Sequence, residues 1–126
     1  MTFTVDALPL SWNMAYGRHG KVTYLRPAGR KTIERIGWAW LAAGSPRTGS
    51  SARLAVTVRM TFSNRRRCDL DNRAKLLLDG LRKCGAIGDD SQIDDLRLVR
   101  VYGDIEQTEI TVTECDTKSA DGAGRV

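Results

Sequence analysis

Residues 54–62 read LAVTVRMTF, 63–69 read SNRRRCD, and 70–85 read LDNRAKLLLDGLRKCG; this run decides the fold. Leu54, Val56, Val58, Met60 and Phe62 alternate with Thr57, Arg59 and Thr61, and Arg53 extends the polar set. Such a period of two describes a strand with one buried face. Beyond the charged link the period changes. Leu70, Ala74, Leu77, Leu78, Leu81 and Cys84 recur at helical spacing, which predicts an amphipathic helix from Leu70 to Cys84 capped by Gly85. A second stripe of that helix carries Asp71, Lys75, Asp79 and Arg82.

Working outward, the chain alternates strands and helices. Thr2 to Leu8, with Phe3, Val5 and Ala7, predicts a strand, and Lys21 to Leu25 a second short one. Pro9 to Gly20 reads as a loop carrying Trp12, Asn13, Tyr16, Arg18 and His19. Ile33, Ile36, Trp40 and Leu41 predict a helix over 28–43, with Arg30, Lys31, Glu34 and Arg35 facing outward. Trp38 and Trp40 suit either a subunit interface or ordinary core packing. Gly44 to Ser51 is a connecting, mobile loop. Strands follow at Ile93 to Tyr102 and Glu109 to Glu114, and the small polar residues of 115–126 predict a disordered tail. Residues 1–114 then form a single domain, and 126 residues suffice to bury a core without staples.

Charge and cysteine usage narrow the partners. Lys plus Arg number 20 against 15 for Asp plus Glu, a formal charge of +5, and the excess is concentrated at Arg65-Arg66-Arg67. Clustered basic charge points to nucleic acid. Cys68, Cys84 and Cys115 show no CxxC spacing, and His19 is the only histidine, so neither a zinc site nor a disulfide framework is supported. The sequence contains no apolar run long enough for a membrane span and no basic-then-apolar amino terminus, which leads to the expectation of a soluble, cytoplasmic protein without a membrane partner.

Dense negative charge, Asp69-Leu70-Asp71-Asn72, sits directly behind those arginines, and the pair Asp89-Asp90 begins eighteen residues after Asp71. Each acidic residue alone has a plain explanation. Asp69 suits a helix N-cap, and Asp71 with Lys75 makes an ordinary i,i+4 surface pair. Together they fit a divalent metal held by carboxylates beside a polyanion held by arginines, the combination that phosphodiester cleavage requires. The loop bearing Asp89 and Asp90 faces either the end of the second helix or its flank; both placements fit the sequence. Asp94-Asp95 belongs to the solvated face of the next strand. A calcium loop opening at Asp69 is excluded, because Ala74 stands where glycine is needed and Gly80 where glutamate is needed.

The block Arg65-Arg66-Arg67-Cys68-Asp69-Leu70-Asp71-Asn72, then Lys75, Asp79, Gly85 and Asp89-Asp90-Ser91-Gln92-Ile93, resembles the signature of the RusA family of Holliday-junction resolvases. Pro9, Ser11, Asn13, Tyr16 and Arg18 extend the likeness more weakly to the amino terminus. It covers about residues 1–114 and is strongest over about 64–93. Two positions depart from the family pattern: Ile87 stands where an aromatic residue is frequent, and Asn13 is single between Trp12 and Met14. The resemblance implies an α+β fold, here a small mixed β-sheet of four to five strands packed against two helices. It implies a homodimer that nicks four-way DNA junctions symmetrically, with Mg2+ as cofactor and Mn2+ as a substitute. Carried over residue by residue, Asp69, Asp71 and Asp90 hold the metal, Lys75 completes the catalytic set, and Asp89 is the lesser of its pair. Arg65, Arg66, Arg67, Asn13 and Arg18 contact DNA.

The chemistry agrees with that assignment. Magnesium takes hard oxygen ligands and needs only one or two carboxylates plus substrate phosphate. A fixed ammonium stabilises the charge of the pentacoordinate transition state. Three readings stand side by side: a junction-resolving endonuclease, a nuclease of the same metal site that prefers flaps or forks, and a non-catalytic nucleic-acid-binding module that uses only the basic patch.

Overall fold

The chain was analysed as a computed structural model, which describes residues 1–115. β4 (Leu54–Phe62) lies inside a four-stranded sheet of order β1-β6-β4-β5, where β1 is Thr2–Val5, β5 is Ile93–Tyr102 and β6 is Gln107–Glu114. Its alternation behaves as the sequence predicts. Leu54, Val56, Val58, Met60 and Phe62 are all buried, whereas Ala55, Thr57, Arg59 and Thr61 retain exposure. Each fully buried aliphatic side chain stabilises the fold by about 2 kcal/mol relative to exposure.

The sheet is mixed, as expected. β4 pairs antiparallel with β6 and parallel with β5, and β1 closes the other edge antiparallel to β6. A parallel neighbour requires a crossover, supplied by α3 (Leu70–Cys84), so β4–α3–β5 is a βαβ unit. The unit dictates where functional groups go. The arginine run and Asp69 fall between the carboxyl end of β4 and the start of α3, while Asp89 and Asp90 fall after α3 and before β5. A 15-residue helix is about 22 Å long.

α3 ends where the sequence predicts, because Gly85 adopts the left-handed conformation (φ 93°) that terminates the helix at low cost. The amide of Ala86 then donates to the carbonyl of Leu81 at 3.0 Å. α2 (Pro27–Ala42) begins with proline in the first turn and packs on α3. The two helices touch at Gly80, where an added Cβ would lie 2.7 Å from Cδ1 of Ile36. This close approach explains why Leu76 is fully buried, although it lies off the apolar stripe read from the sequence. Leu41, placed on the apolar stripe of the first predicted helix, is instead half exposed, because α2 buries Gly29, Ile36 and Trp40. The tryptophans separate: Trp40 enters the core and donates to the carbonyl of Pro46 at 2.7 Å, and Trp38 remains 69% exposed.

Further differences follow from local geometry. The first strand stops at Val5, short of Leu8. Pro9 to Gly20 is not simply a loop, for it contains α1 (Trp12–Ala15) and β2 (Tyr16–His19), and β2 pairs with β3 (Val22–Leu25) in a separate hairpin. The described residues thus form three α-helices where two were expected. Four-residue elements leave too few periods to be read from pattern alone. The loop from Gly44 to Ser51, expected to be mobile, is fastened: the amide of Gly49 donates to Glu114, and the side chain of buried Gln92 donates to the carbonyls of Gly49 and Ala52. From residue 116 onward, the expected tail lies outside the described residues. No helix among the described residues is long and apolar enough to cross a membrane.

Candidate active site

The start of α3 presents the first half of the site. Asp69 occupies the N-cap position with extended backbone (φ −90°, ψ 127°), yet its side chain makes no capping hydrogen bond. The plain explanation for this aspartate is therefore absent from the structure. Asp71, in the first helical turn, is exposed and forms no ion pair with Lys75. Among the described residues neither carboxylate has a capping hydrogen bond or an ion-pair partner. Upstream, the amide of Arg66 donates to Oδ1 of Asn64 at 2.9 Å, forming a turn that displays the arginine run. The guanidinium of Arg65 lies 4.2 Å from the ring centroid of Tyr102, a cation–π contact that holds this exposed side chain. Arg100 fixes the link to α3 by donating to the carbonyl of Cys68, and it also stacks over Phe62 at 4.9 Å.

The second half lies further along α3. Lys75, Leu78 and Asp79 line a cleft of about 320 Å3 together with Trp12 and Asp90. The ammonium of Lys75 stands 5.8 Å from the ring centroid of Trp12, and Trp12 stacks on Tyr16 with centroids 4.0 Å apart. The hydroxyl of Tyr16 donates to Oδ2 of Asp79 at 2.6 Å, tying the amino-terminal segment to α3. Burial, reinforced by the hydrogen bond to Asp79 and its negative charge, pushes the Tyr16 hydroxyl from 10.0 up to about 12. Asp79 in turn meets Arg82 at 3.5 Å.

The two neighbouring aspartates after α3 differ. The Ser91 hydroxyl donates to the carboxylate of Asp89 and holds it below the usual carboxylate range. The amide of Asp89 donates to Gln92 at 3.0 Å. Asp89 is thus occupied by its own turn, while Asp90 faces the cleft. Asp94 is exposed, as predicted, and is gripped by Arg53.

The sequence-predicted residues are consequently brought together in two groups. Asp69 and Asp71 stand beside Arg65, Arg66 and Arg67 at the start of α3. Asp90 joins Lys75 in the cleft. Among the described residues no three of His, Cys, Asp and Glu gather closely enough to hold a metal ion, so the chain alone does not unite Asp69, Asp71 and Asp90. Asn13 and Arg18 line another hollow with Trp12 and Tyr16, apart from the arginine run. The cysteines are all free.

Residue reading passed over Trp12 and Asp79 as site residues. Asp79 had a signal, since it shares a stripe with Asp71 and Lys75 at four-residue spacing. Trp12 had none, because its place over Lys75 is set by tertiary packing.

A family model described as "Endodeoxyribonuclease RusA" matches residues 9–113. A relative described as "Crossover junction endodeoxyribonuclease rusA", from Enterobacteria phage HK97, is 34% identical over 95 residues, covering 73% of this chain and 76% of the relative.

Proposed function

The chain belongs to the RusA family of endodeoxyribonucleases, and from that premise we propose a magnesium-dependent enzyme that nicks four-way DNA junctions symmetrically as a homodimer. Its setting is recombination and repair in the cytoplasm of a bacterium, with the gene carried by the host, a phage or a prophage. The observation that carries this reading is the state of Asp69 and Asp71. Both carboxylates are fixed at a helix start without a partner among the described residues, between three arginines and a lysine. Uncapped, exposed carboxylate oxygens form the donor set that hard divalent ions select.

Asp69 and Asp71 would hold the metal, with Asp90 as the third carboxylate. When bound, the ion supplies Lewis-acid stabilisation and a source of hydroxide. The protein's own groups do the rest. Lys75, kept beside Trp12, presents a positive charge toward the phosphoryl oxygens as charge builds in the transition state. Arg65, Arg66 and Arg67 neutralise backbone phosphates flanking the cut. Asn13 and Arg18 contact the strand beyond the cleft. A junction with near two-fold symmetry needs two cuts, which a symmetric dimer provides at fixed separation. Asp69, Asp71 and Asp90 do not form one cluster among the described residues, and in a dimer a neighbouring copy can supply the third carboxylate.

The test is a panel of labelled four-way junctions, flaps, forks and linear duplexes with Mg2+, Mn2+ or Ca2+. Junctions should be nicked at symmetric positions with Mg2+ and Mn2+. Preferred cutting of flaps or forks would reassign the substrate, and a panel left wholly uncut would leave a DNA-binding module in place of the enzyme.

A further inference from the structure

A hollow of about 550 Å3 lies at the carboxyl end of β4. Pockets for small ligands run to about 300–1,000 Å3, so a nucleoside fits comfortably. Its walls combine three chemistries. Arg35, Arg66, Arg67 and Arg73 are cationic, Asp6 and Glu106 are anionic, and Leu8, Leu10 and Phe62 are apolar. A site for phosphate alone would not place two carboxylates in its wall. A site for an aliphatic ligand would not place four guanidinium groups there. A nucleobase needs such a mixture: flat apolar faces, hydrogen-bonding groups of both kinds on the edge, and an attached phosphate.

The polar groups are oriented and incompletely used. Oε2 of Glu106 accepts from the amide and hydroxyl of Ser63, at 3.3 and 3.0 Å, which aims the carboxylate. Arg73 donates through Nη1 to the carbonyl of Pro9 at 2.7 Å and lies 5.5 Å from the ring centroid of Phe62. Its Nε is buried and has no hydrogen-bond partner among the described residues. Buried donors are nearly always satisfied, yet the Arg73 side chain sits in the wall of the hollow with one of its donors unused. Asp6 and Arg35 are only loosely paired, at 3.9 Å, and both remain largely exposed.

We propose that this hollow receives one unstacked base of the junction strand, with the adjoining phosphate on Arg66 and Arg67, and so sets base preference at the cut. The inference rests on the endonuclease reading above, because Cys68 lines the hollow and immediately precedes Asp69. Base pairs at a strand-exchange point have lost a stacking neighbour, which lowers the cost of turning a base out. The Glu106 carboxylate accepts from an exocyclic amino group. Thymine, the one base without such a group, is therefore the base the hollow should reject.

The experiment uses full-length protein and four-way junctions carrying 2-aminopurine, one position at a time, around the mapped nick. The cleavage-deficient Asp71→Asn variant should raise the fluorescence several-fold at a single position beside the nick. Adding Leu10→Trp, which fills the hollow, should abolish that rise. In cleavage assays the wild type should disfavour thymine at that position by about tenfold, and Glu106→Gln, which keeps the Ser63 acceptor, should erase the preference. A wild type that nicks junctions while every reporter stays quenched overturns the base pocket and leaves the endonuclease intact. A preference unaltered by Glu106→Gln overturns it also. A wild type that cuts no DNA overturns the enzyme reading, and the base pocket falls with it.

Discussion

The start of α3 and the cleft halfway along it carry complementary chemistry but are built in opposite ways. At the start, Arg65 to Asp71 are consecutive, exposed, and positioned by one turn and one helix end. In the cleft, Trp12, Lys75, Asp79 and Asp90 come from three segments, and packing of α1 against α3 brings them together. Charge density made the first region; tertiary assembly made the second. A group such as Asp69 depends on little beyond its own backbone, whereas Lys75 depends on a tryptophan some sixty residues earlier in the chain. If both regions serve one reaction, disabling either must stop it, and the consequences for folding must differ.

The sharpest way to break this pairing is to neutralise one carboxylate from each region. Asp71→Asn and Asp90→Asn should each lower the rate of junction cleavage by about a thousandfold. Junction binding should persist or tighten, because negative charge facing a polyanion is removed. Single-turnover cleavage and gel-shift titration on the same substrate check both outcomes. Should Asp90→Asn cleave normally while Asp71→Asn is inactive, Asp90 has no part in the chemistry and the cleft can contribute only through Lys75.

Lys75→Met separates charge from packing. Loss of the ammonium should slow cleavage by about a hundredfold with binding little changed. Trp12→Leu retains the lysine but removes the face that holds it, for which a loss of about tenfold is expected. Near-identical losses would mean that Lys75 works only when the indole holds it, whereas a Trp12→Leu loss that persists in a Lys75→Met background would show that the indole contacts substrate directly.

The arginines give a smaller, graded effect. Each of Arg65, Arg66 and Arg67 that contacts a phosphate steepens the log–log salt dependence of binding by about 0.9. Arg66→Ala should flatten the slope by that amount and weaken binding by about tenfold near physiological salt, measured by anisotropy across a salt series. Arg65→Ala should do less, since Tyr102 already stacks on that guanidinium.

How far the sequence reaches follows from the same contrast. β4, α3 and its Gly85 terminus were legible because nine or more residues repeat a clear period and a glycine marks the stop. The charges at the start of α3 were legible because they are adjacent. α1 and β2 were not, since four residues hold one turn or two pleats, and Pro9 to Gly20 resembles a loop in composition. The burial of Leu76 was hidden because it depends on how closely Gly80 lets Ile36 approach. Asp90 posed the hardest case. Its place beside Lys75 depends on the crossover from β4 to β5, and only the topology separates it from the start of α3.

The smallest effect probes the tie that assembles the cleft. Tyr16→Phe deletes the 2.6 Å hydrogen bond to Asp79 but keeps the ring stacked on Trp12. Asp79 retains solvent contact and its Arg82 partner, so solvent screening limits the expected cost to about 1 kcal/mol of stability. The pH dependence gives the effect a signature. Folding raises the Tyr16 hydroxyl from 10.0 to about 12, so the folded state favours the protonated form. That contribution is fully present below the unfolded value of 10.0 and is lost as pH rises through about 12. Urea midpoints of wild type and Tyr16→Phe should therefore differ at neutral pH and converge above pH 10, the difference cancelling the other tyrosines common to both proteins. A gap that persists unchanged through the alkaline range would assign the stabilisation to packing of the ring, and the cleft would then be held by the Trp12–Tyr16 stack and not by the bond to Asp79.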